Sequence, residues 1–324
     1  MPTASPTASS TPEPGATTAP DPSATATQAP SPERSSAEQL YATYYLPALA
    51  AYPEWTGNVE NCAPGTISAT RLAALEQQVN YFRLAAGVPP IAFDATMNAR
   101  AQAAALIMAA EGDLSHTPPS SWQCWSEEGS AGAGASNLGL SYGYDIRRTV
   151  IGFMDDPGSG NISVGHREWL LAPPTAHMGA GEAQGTQWDA SAIHVVDPAA
   201  AYYDTWPATR DGADGFVAWP PPGYIPFEVV YPRWSLFLRG ADFSAATVAM
   251  QLDGKPVSSS IIYAEASGNR SALPDWKGLV WEPALDLDAL ERATTHRVDV
   301  TIGNVQRSTG PQTYNYTVLL FAPE

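Results

Sequence analysis

The sequence predicts an α+β protein built from two folded domains, and three observations carry that expectation. At 324 residues with 44% hydrophobic content, the chain can bury more than one sizeable core. Apolar residues recur at helical spacing in its first half, as at Leu72, Leu75, Val79 and Phe82. After Pro220-Pro221-Pro222-Gly223 the pattern changes to short β-rich runs separated by turns. The division this suggests is a disordered Ser/Thr/Pro stalk over 1–36, a helix-rich domain over 37–222 and a β-sandwich over 223–324.

The stalk follows from composition. Residues 1–36 are almost entirely Pro, Ser, Thr, Ala, Gly and a few acids, too little apolar surface to offset the entropy of ordering. Stalks of this kind space a folded domain from an anchor or wall on exported proteins. Met1 leads directly into Pro2-Thr3-Ala4-Ser5-Pro6, with no signal-peptide pattern, and reads as a Met placed ahead of a mature segment.

An aromatic-rich entry segment follows, with Tyr41, Tyr44, Tyr45, Tyr52 and Trp55, expected as a short helix and a loop to Cys62. Ser68 or Thr70 can cap a helix that runs to Gly87 and Pro89-Pro90. Asp94 can cap a second, Ala-rich helix that stops near Gly112. A third helix is expected from Asp145 to about Met154, ended by Pro157-Gly158, and strands at 191–196 and 215–219. Beyond Gly223, strand-like runs at 227–231, 235–238, 247–252, 260–263, 278–281, 297–302 and 314–321 predict an immunoglobulin-like antiparallel β-sandwich without paired cysteines of its own.

Charge narrows the function classes. The formal net charge is −17 and charged residues are only 15% of the chain, a balance that repels phosphate backbones and anionic lipid surfaces. Nucleic-acid binding is therefore excluded as an expectation, and no apolar run reaches the ~18 residues of a membrane span. The two cysteines, Cys62 and Cys124, suit one disulfide in an exported chain, with a pair of buried thiols as the alternative.

The stretch 114–181 carries the candidate chemistry. His116 lies just past a helix end, in Leu114-Ser115-His116-Thr117-Pro118-Pro119, and His166 lies in Gly165-His166-Arg167-Glu168-Trp169-Leu170-Leu171. Between them stand Glu127-Glu128, the glycine-rich run to Ser136-Asn137-Leu138, and Asp155-Asp156. Gly179-Ala180-Gly181 lacks the third glycine of a dinucleotide fingerprint and reads instead as a place of close packing. Gly-x-Ser-x-Gly and His-Glu-x-x-His do not occur, so nucleophilic and zinc-peptidase chemistry have no motif behind them. His177, His194 and His296 lack comparable company and default to surface or strand packing. Trp122, Trp125, Trp169, Trp188, Tyr142 and Tyr144 surround the same stretch and offer rings to an apolar or carbohydrate ligand, or simply to a core.

In their order along the chain, these segments resemble bacterial CAP-domain proteins, of the superfamily of cysteine-rich secretory, antigen-five and pathogenesis-related proteins. The segments are Asn80-Tyr81-Phe82-Arg83-Leu84-Ala85-Ala86-Gly87-Val88-Pro89-Pro90, the Ala-rich helix into Leu114-Ser115-His116, Ala135-Ser136-Asn137-Leu138, and Gly165-His166-Arg167-x-Trp169-Leu170-Leu171. The resemblance implies a three-layer α-β-α sandwich, a secreted or cell-envelope location, and a cleft lined by two histidines and two glutamates. His116 and His166 match the histidines. Ser136 stands where one glutamate is expected, and the other is matched only by Asp155 or Asp156. Glu127 or Glu128 could supply a carboxylate if the glycine-rich run folds inward as a loop. Two imidazoles with carboxylates can hold zinc, but two imidazoles alone should hold it weakly and less as they protonate below about pH 6.5. The functional expectation is an exported, non-enzymatic binding module for a lipid, a carbohydrate or a cell-surface partner. The alternatives are a metal-assisted hydrolase or peptidase using the same cleft, and a purely structural surface protein.

Overall fold

The computed structural model describes residues 25–26, 33–142, 146–200, 215–268, 273 and 275–323. Two residues of the stretch read as a stalk form a short strand, β1 (Thr25–Ala26), parallel to Thr313 and Tyr314. Helix α1 (Arg34–Leu40) begins inside the same stretch, and continues through one π-helical segment, Tyr41–Tyr45, into α2 (Leu46–Ala50). Tyr41 and Tyr45 stack at 4.8 Å and Tyr45 meets Tyr81 at 5.1 Å, which docks the entry segment on α3 (Ala69–Ala85).

The helix ends follow the capping chemistry expected of them. Ser68 Oγ accepts from Arg71 N at 3.2 Å at the start of α3. Asp94 accepts from the amides of Thr96 and Met97 and opens α4 (Ala95–Glu111), which Gly112 closes at φ 75° in the left-handed region. Between these helices runs β2 (Ala92–Phe93); α5 (Glu127–Gly134), β3 (Ser136–Ser141), α6 (Thr149–Asp155), α7 (Gly165–Leu170), β4 (His177–Gln184) and β5 (Asp189–His194) complete the domain.

Its sheet has the order β2-β4-β5-β3, with β5 antiparallel to both neighbours. Alternation along β4 separates the two faces. A Cβ on Gly179 or Gly181 would collide with the α4 backbone at Met97 and Gln102, so glycine here lets strand and helix touch. Met178 and Ala180, on the other face, join the core with Leu75, Val79 and Phe82 of α3 and Val150 and Met154 of α6. Glu182 on that face receives Arg71 through Nε at 2.8 Å and Nη2 at 2.6 Å, both side chains fully buried. Helices α4 and α5, the sheet, and helices α3 and α6 are the three layers.

Several local expectations differ from this result. The run after Glu127-Glu128 is a helix, α5, and not an inward loop. Its glycines serve packing, since a Cβ on Gly132 would meet the carbonyl of Arg100 on α4. Residues 177–184 form a central strand that shows no β-branched signature, because its buried positions are Met178, glycine, alanine and Glu182. The third helix starts at Thr149 after a 3-10 turn at Ile146–Arg148; Asp145 lies outside the described residues, as does Tyr144.

The second half is a two-sheet β-sandwich. One sheet joins β6 (Val217–Trp219), β8 (Trp234–Arg239), β12 (Trp276–Pro283) and β11 (Ser259–Ala264). The other joins β7 (Gly223–Pro226), β9 (Thr247–Leu252), β10 (Lys255–Val257), β13 (His296–Arg307) and β14 (Gly310–Phe321). Thus the run 215–219, ahead of the proline boundary, supplies a strand of the sandwich. Residues 227–231, expected as a strand, begin instead with a 3-10 turn at Phe227–Val229. The core is continuous across both halves: Phe82 of α3 meets Trp219 of β6 edge-on at 5.1 Å, and Trp219 Nε1 donates to Val229 O at 3.0 Å.

Candidate functional site

A cleft opens between the end of β3, the α6–α7 turn and the segment after α4. Its larger lobe, about 860 Å³, has an apolar floor that includes Leu138, Leu140, Ile151 and Phe153. A smaller lobe of about 310 Å³ adjoins it, lined by Ser136, Asn137 and Trp169 among others. His116, Asn161 and His166 line both lobes and stand where they meet.

Each histidine is oriented by one fixed acceptor. His116 Nδ1 lies 2.9 Å from Ala133 O, the carbonyl near the end of α5. A carbonyl only accepts, so in the neutral ring Nδ1 carries the proton and Nε2 keeps its lone pair. His166 Nδ1 lies 2.7 Å from Asp156 Oδ1, and the second oxygen of that carboxylate takes the His166 backbone amide at 3.0 Å. The same logic leaves the lone pair of His166 on Nε2. Neither Nε2 has a hydrogen-bond partner among the described residues. Two acceptor nitrogens are therefore fixed in a partly apolar cleft.

The placement of His166 is a product of helix ends. Asp156 closes α6 in the left-handed region at φ 51°, its amide bonded to Gly152 O at 2.8 Å, and is 1% exposed. Asn137 Nδ2, from β3, donates to His166 O at 2.9 Å and ties α7 to the sheet. Asp156 was one of two candidates for a carboxylate at the end of the third helix, and it lies behind His166 in the role of orienter. Asp155 lines the larger lobe, where burial holds its carboxyl above the usual range against the opposing charge of Arg167. Asp189, at the same lobe, is also raised by burial.

Ser136 is buried and lines the smaller lobe, but its Oγ donates to Gly132 O at 2.7 Å. Glu127 and Glu128 lie on the exposed first turn of α5 and line neither lobe. Among the described residues, no group of three or more His, Cys, Asp or Glu side chains is arranged to hold a metal ion. A zinc site uses three or four protein donors, so the two imidazoles and the residues around them do not fit zinc.

The aromatic residues divide by role. Trp169 lines the smaller lobe and Tyr142 the larger, where Tyr142 meets Trp188 edge-on at 5.6 Å. Trp122 packs against the alanine core of α4. Trp125 Nε1 donates to Pro118 O at 3.1 Å, steadying the segment after His116. Cys62 and Cys124 form a disulfide with a Cα–Cα distance of 4.9 Å, closing a loop of 62 residues, on the order of 4 kcal/mol in the chain-entropy model.

The remaining histidines sit elsewhere. His177 is a half-exposed partner of Asp197 at 3.2 Å. His194 is buried on β5, where burial holds its pKa down to about 4, helped by Arg100. His296, in the sandwich, donates to Asp253 at 2.7 Å and to Glu291 O at 3.1 Å; with both ring nitrogens facing acceptors it is held as the imidazolium, and its pKa is raised.

Sequence reasoning missed two arginines beside the site. Arg167 is fully buried and donates from Nε to Met154 O at 2.6 Å, and from Nη1 to Arg233 O at 2.8 Å and Ser235 Oγ at 3.0 Å. Burial pulls its pKa down to about 10, opposed by Asp156, so it stays cationic at neutral pH. Arg233 reaches back from the sandwich to the α6–α7 turn. A lone arginine in each half gives no sequence signal of a pairing across domains.

Residues 77–197 match the model of the CAP family, described as the cysteine-rich secretory protein family. The match begins within α3, ends at Asp197, and takes in both cleft histidines, the three layers and their sheet. No curated protein matches the chain.

Proposed function

We propose that this chain, a CAP domain followed by a β-sandwich, is an exported binding protein whose two-histidine cleft holds one small amphiphilic ligand. The single observation that carries the reading is the pair of pinned imidazoles, each presenting Nε2 as an acceptor beside an apolar lobe of about 860 Å³. Volumes of 300–1,000 Å³ suit small organic ligands. The head group must donate hydrogen bonds to two neutral imidazoles, as a hydroxyl or amine does. An anionic head is disfavoured by Asp155, Asp156 and Asp189 along the larger lobe, where Arg148 is the one arginine or lysine among the described residues of the lining. The apolar body lies on Leu138, Leu140, Ile151 and Phe153. The raised carboxyls of Asp155 and Asp189 fit a poorly solvated lobe. The disulfide supports a location outside the cytoplasm.

One observation favours a second reading, a hydrolase. Asp156 and His166 have the geometry of a base and its orienting acid, and with Ser136 Oγ committed to Gly132 the nucleophile would be water. The two readings separate with n-dodecanol and 4-nitrophenyl dodecanoate as probes. Calorimetry on the full chain should show saturable dodecanol binding, at least tenfold tighter than dodecanoate, and lost in His116→Ala/His166→Ala. Absence of dodecanol binding to the wild type overturns the binding reading. Turnover of the ester that disappears in His166→Ala replaces it with the hydrolase.

A further inference from the structure

The β-sandwich is joined to the cleft by a closed circuit of hydrogen bonds. Arg233, in the segment leading into β8, donates from Nη1 to Asp156 O at 2.8 Å and Asn161 O at 3.0 Å, and from Nη2 to Gly158 O at 2.9 Å. Its Nε is held by Glu282 at 3.2 Å. One guanidinium thus satisfies three carbonyls of the turn that links α6 to α7, a turn with no regular structure of its own. The carboxylate of Asp156 in turn holds the ring and the backbone amide of His166. Arg167, next to His166, closes the circuit by donating to the carbonyl of Arg233. Each link leads to the next: Arg233 fixes the Asp156 backbone, Asp156 fixes His166, and the neighbour of His166 fixes Arg233.

We propose that the β-sandwich completes the cleft, with Arg233 as a positioning residue that keeps the Asp156 carboxylate on His166 Nδ1 and so keeps Nε2 of His166 an acceptor. The Asp156 carbonyl and carboxylate belong to one residue in a left-handed conformation, so a rotation of the turn that displaces one displaces the other. Asn161, whose carbonyl Arg233 also holds, lines both lobes, so the same contact shapes the cleft wall. His116 is independent of this circuit, since its acceptor is Ala133 O on α5. The inference deepens the binding reading, in which His166 Nε2 accepts from the ligand, but its first readout needs no ligand.

Long-range proton–nitrogen correlation spectra of the full chain at pH 8.5 identify which ring nitrogen of each histidine bears the proton. Wild type should show Nδ1–H at both His116 and His166. Arg233→Met should raise the Nε2–H share of His166 at least fivefold and leave His116 unchanged. Arg233→Lys should fall between, because one ammonium cannot span three carbonyls. Ser235→Ala, which removes a different bond across the same interface, should match wild type. Wild-type His166 signals in a folded Arg233→Met protein overturn the proposal, and so does an equal change at both histidines, which reads as general loosening. Should Arg233→Met not fold, Arg233→Lys decides: an unchanged His166 overturns it. Dodecanol binding is measured separately, so a wild type that shows the expected tautomers but binds no alcohol removes the binding reading and leaves this one standing.

Discussion

His166 Nδ1 donates to Asp156 Oδ1 across 2.7 Å, and the carboxylate that receives it is almost wholly buried. A buried charge of this kind orients a ring more firmly than a solvated one. Asn is tolerated in the left-handed region that Asp156 occupies, so Asp156→Asn changes the charge without straining the backbone. We expect dodecanol affinity to fall by on the order of tenfold, the lower end for loss of an orienting partner. Calorimetry measures it, and unchanged affinity would remove Asp156 from the site.

Glu168, two residues along α7, is buried with Oε1 unpartnered among the described residues. Burial pushes its carboxyl up to about 8, with Glu265 adding to the shift and Lys277 opposing it. The unfolded chain ionises near 4.5, so the stability tied to this group is present below pH 4.5 and is lost as pH rises towards 8. Glu168→Gln removes that loss. Urea unfolding at pH 8 should show the variant more stable by up to about 4 kcal/mol, with the difference vanishing near pH 4.5. A variant no more stable than wild type at pH 8 would count against a protonated Glu168.

His194 works in the opposite direction. Its folded pKa is held down to about 4 against an ordinary 6.5, so the native state excludes a proton that the unfolded chain accepts. Stability tied to it is intact above pH 6.5 and falls by up to about 3 kcal/mol as pH drops to 4. His296, whose pKa Asp253 raises, pulls the other way, so the comparison must be between His194→Gln and wild type. Their unfolding free energies should converge or cross between pH 6.5 and 4; parallel curves would mean that His194 does not titrate as its burial requires.

The fold was readable where local chemistry and periodicity agreed. Ser68, Asp94 and Gly112 cap their helices as expected, and six of the expected β-runs beyond Gly223 became strands, because each signal lies within one element. The site was half readable. His116 and His166 stood out by the motifs around them, but the partner of each is set by tertiary placement: a backbone carbonyl on α5 for one, the residue after α6 for the other. A carbonyl leaves no trace in a sequence. Glu127-Glu128 attracted attention as carboxylates, yet they serve the exposed first turn of α5, where acidic residues suit the helix dipole. Arg167 stood in the motif around His166, but its role and that of Arg233 left no trace, since their partners are backbone carbonyls far along the chain.

The Gly179-Ala180-Gly181 run tests how far small residues, and not hydrophobic pattern, hold the three layers together. A Cβ on Gly181 would run into the backbone of α4 at Gln102, and backbone in a buried helix cannot step aside as a side-chain tip can. Gln102 also bonds Glu182 on the same strand, its Nε2 donating to Glu182 O at 2.8 Å, so any shift would weaken a second contact. Gly181→Ala should therefore cost about 3 kcal/mol by urea unfolding, at the upper end for an added methyl in a packed core. Gly160→Ala meets nothing within 4 Å and should stay within about 0.5 kcal/mol of wild type. Equal stability of the two variants would mean that α4 and β4 can separate freely, and that the glycines are not what sets their spacing.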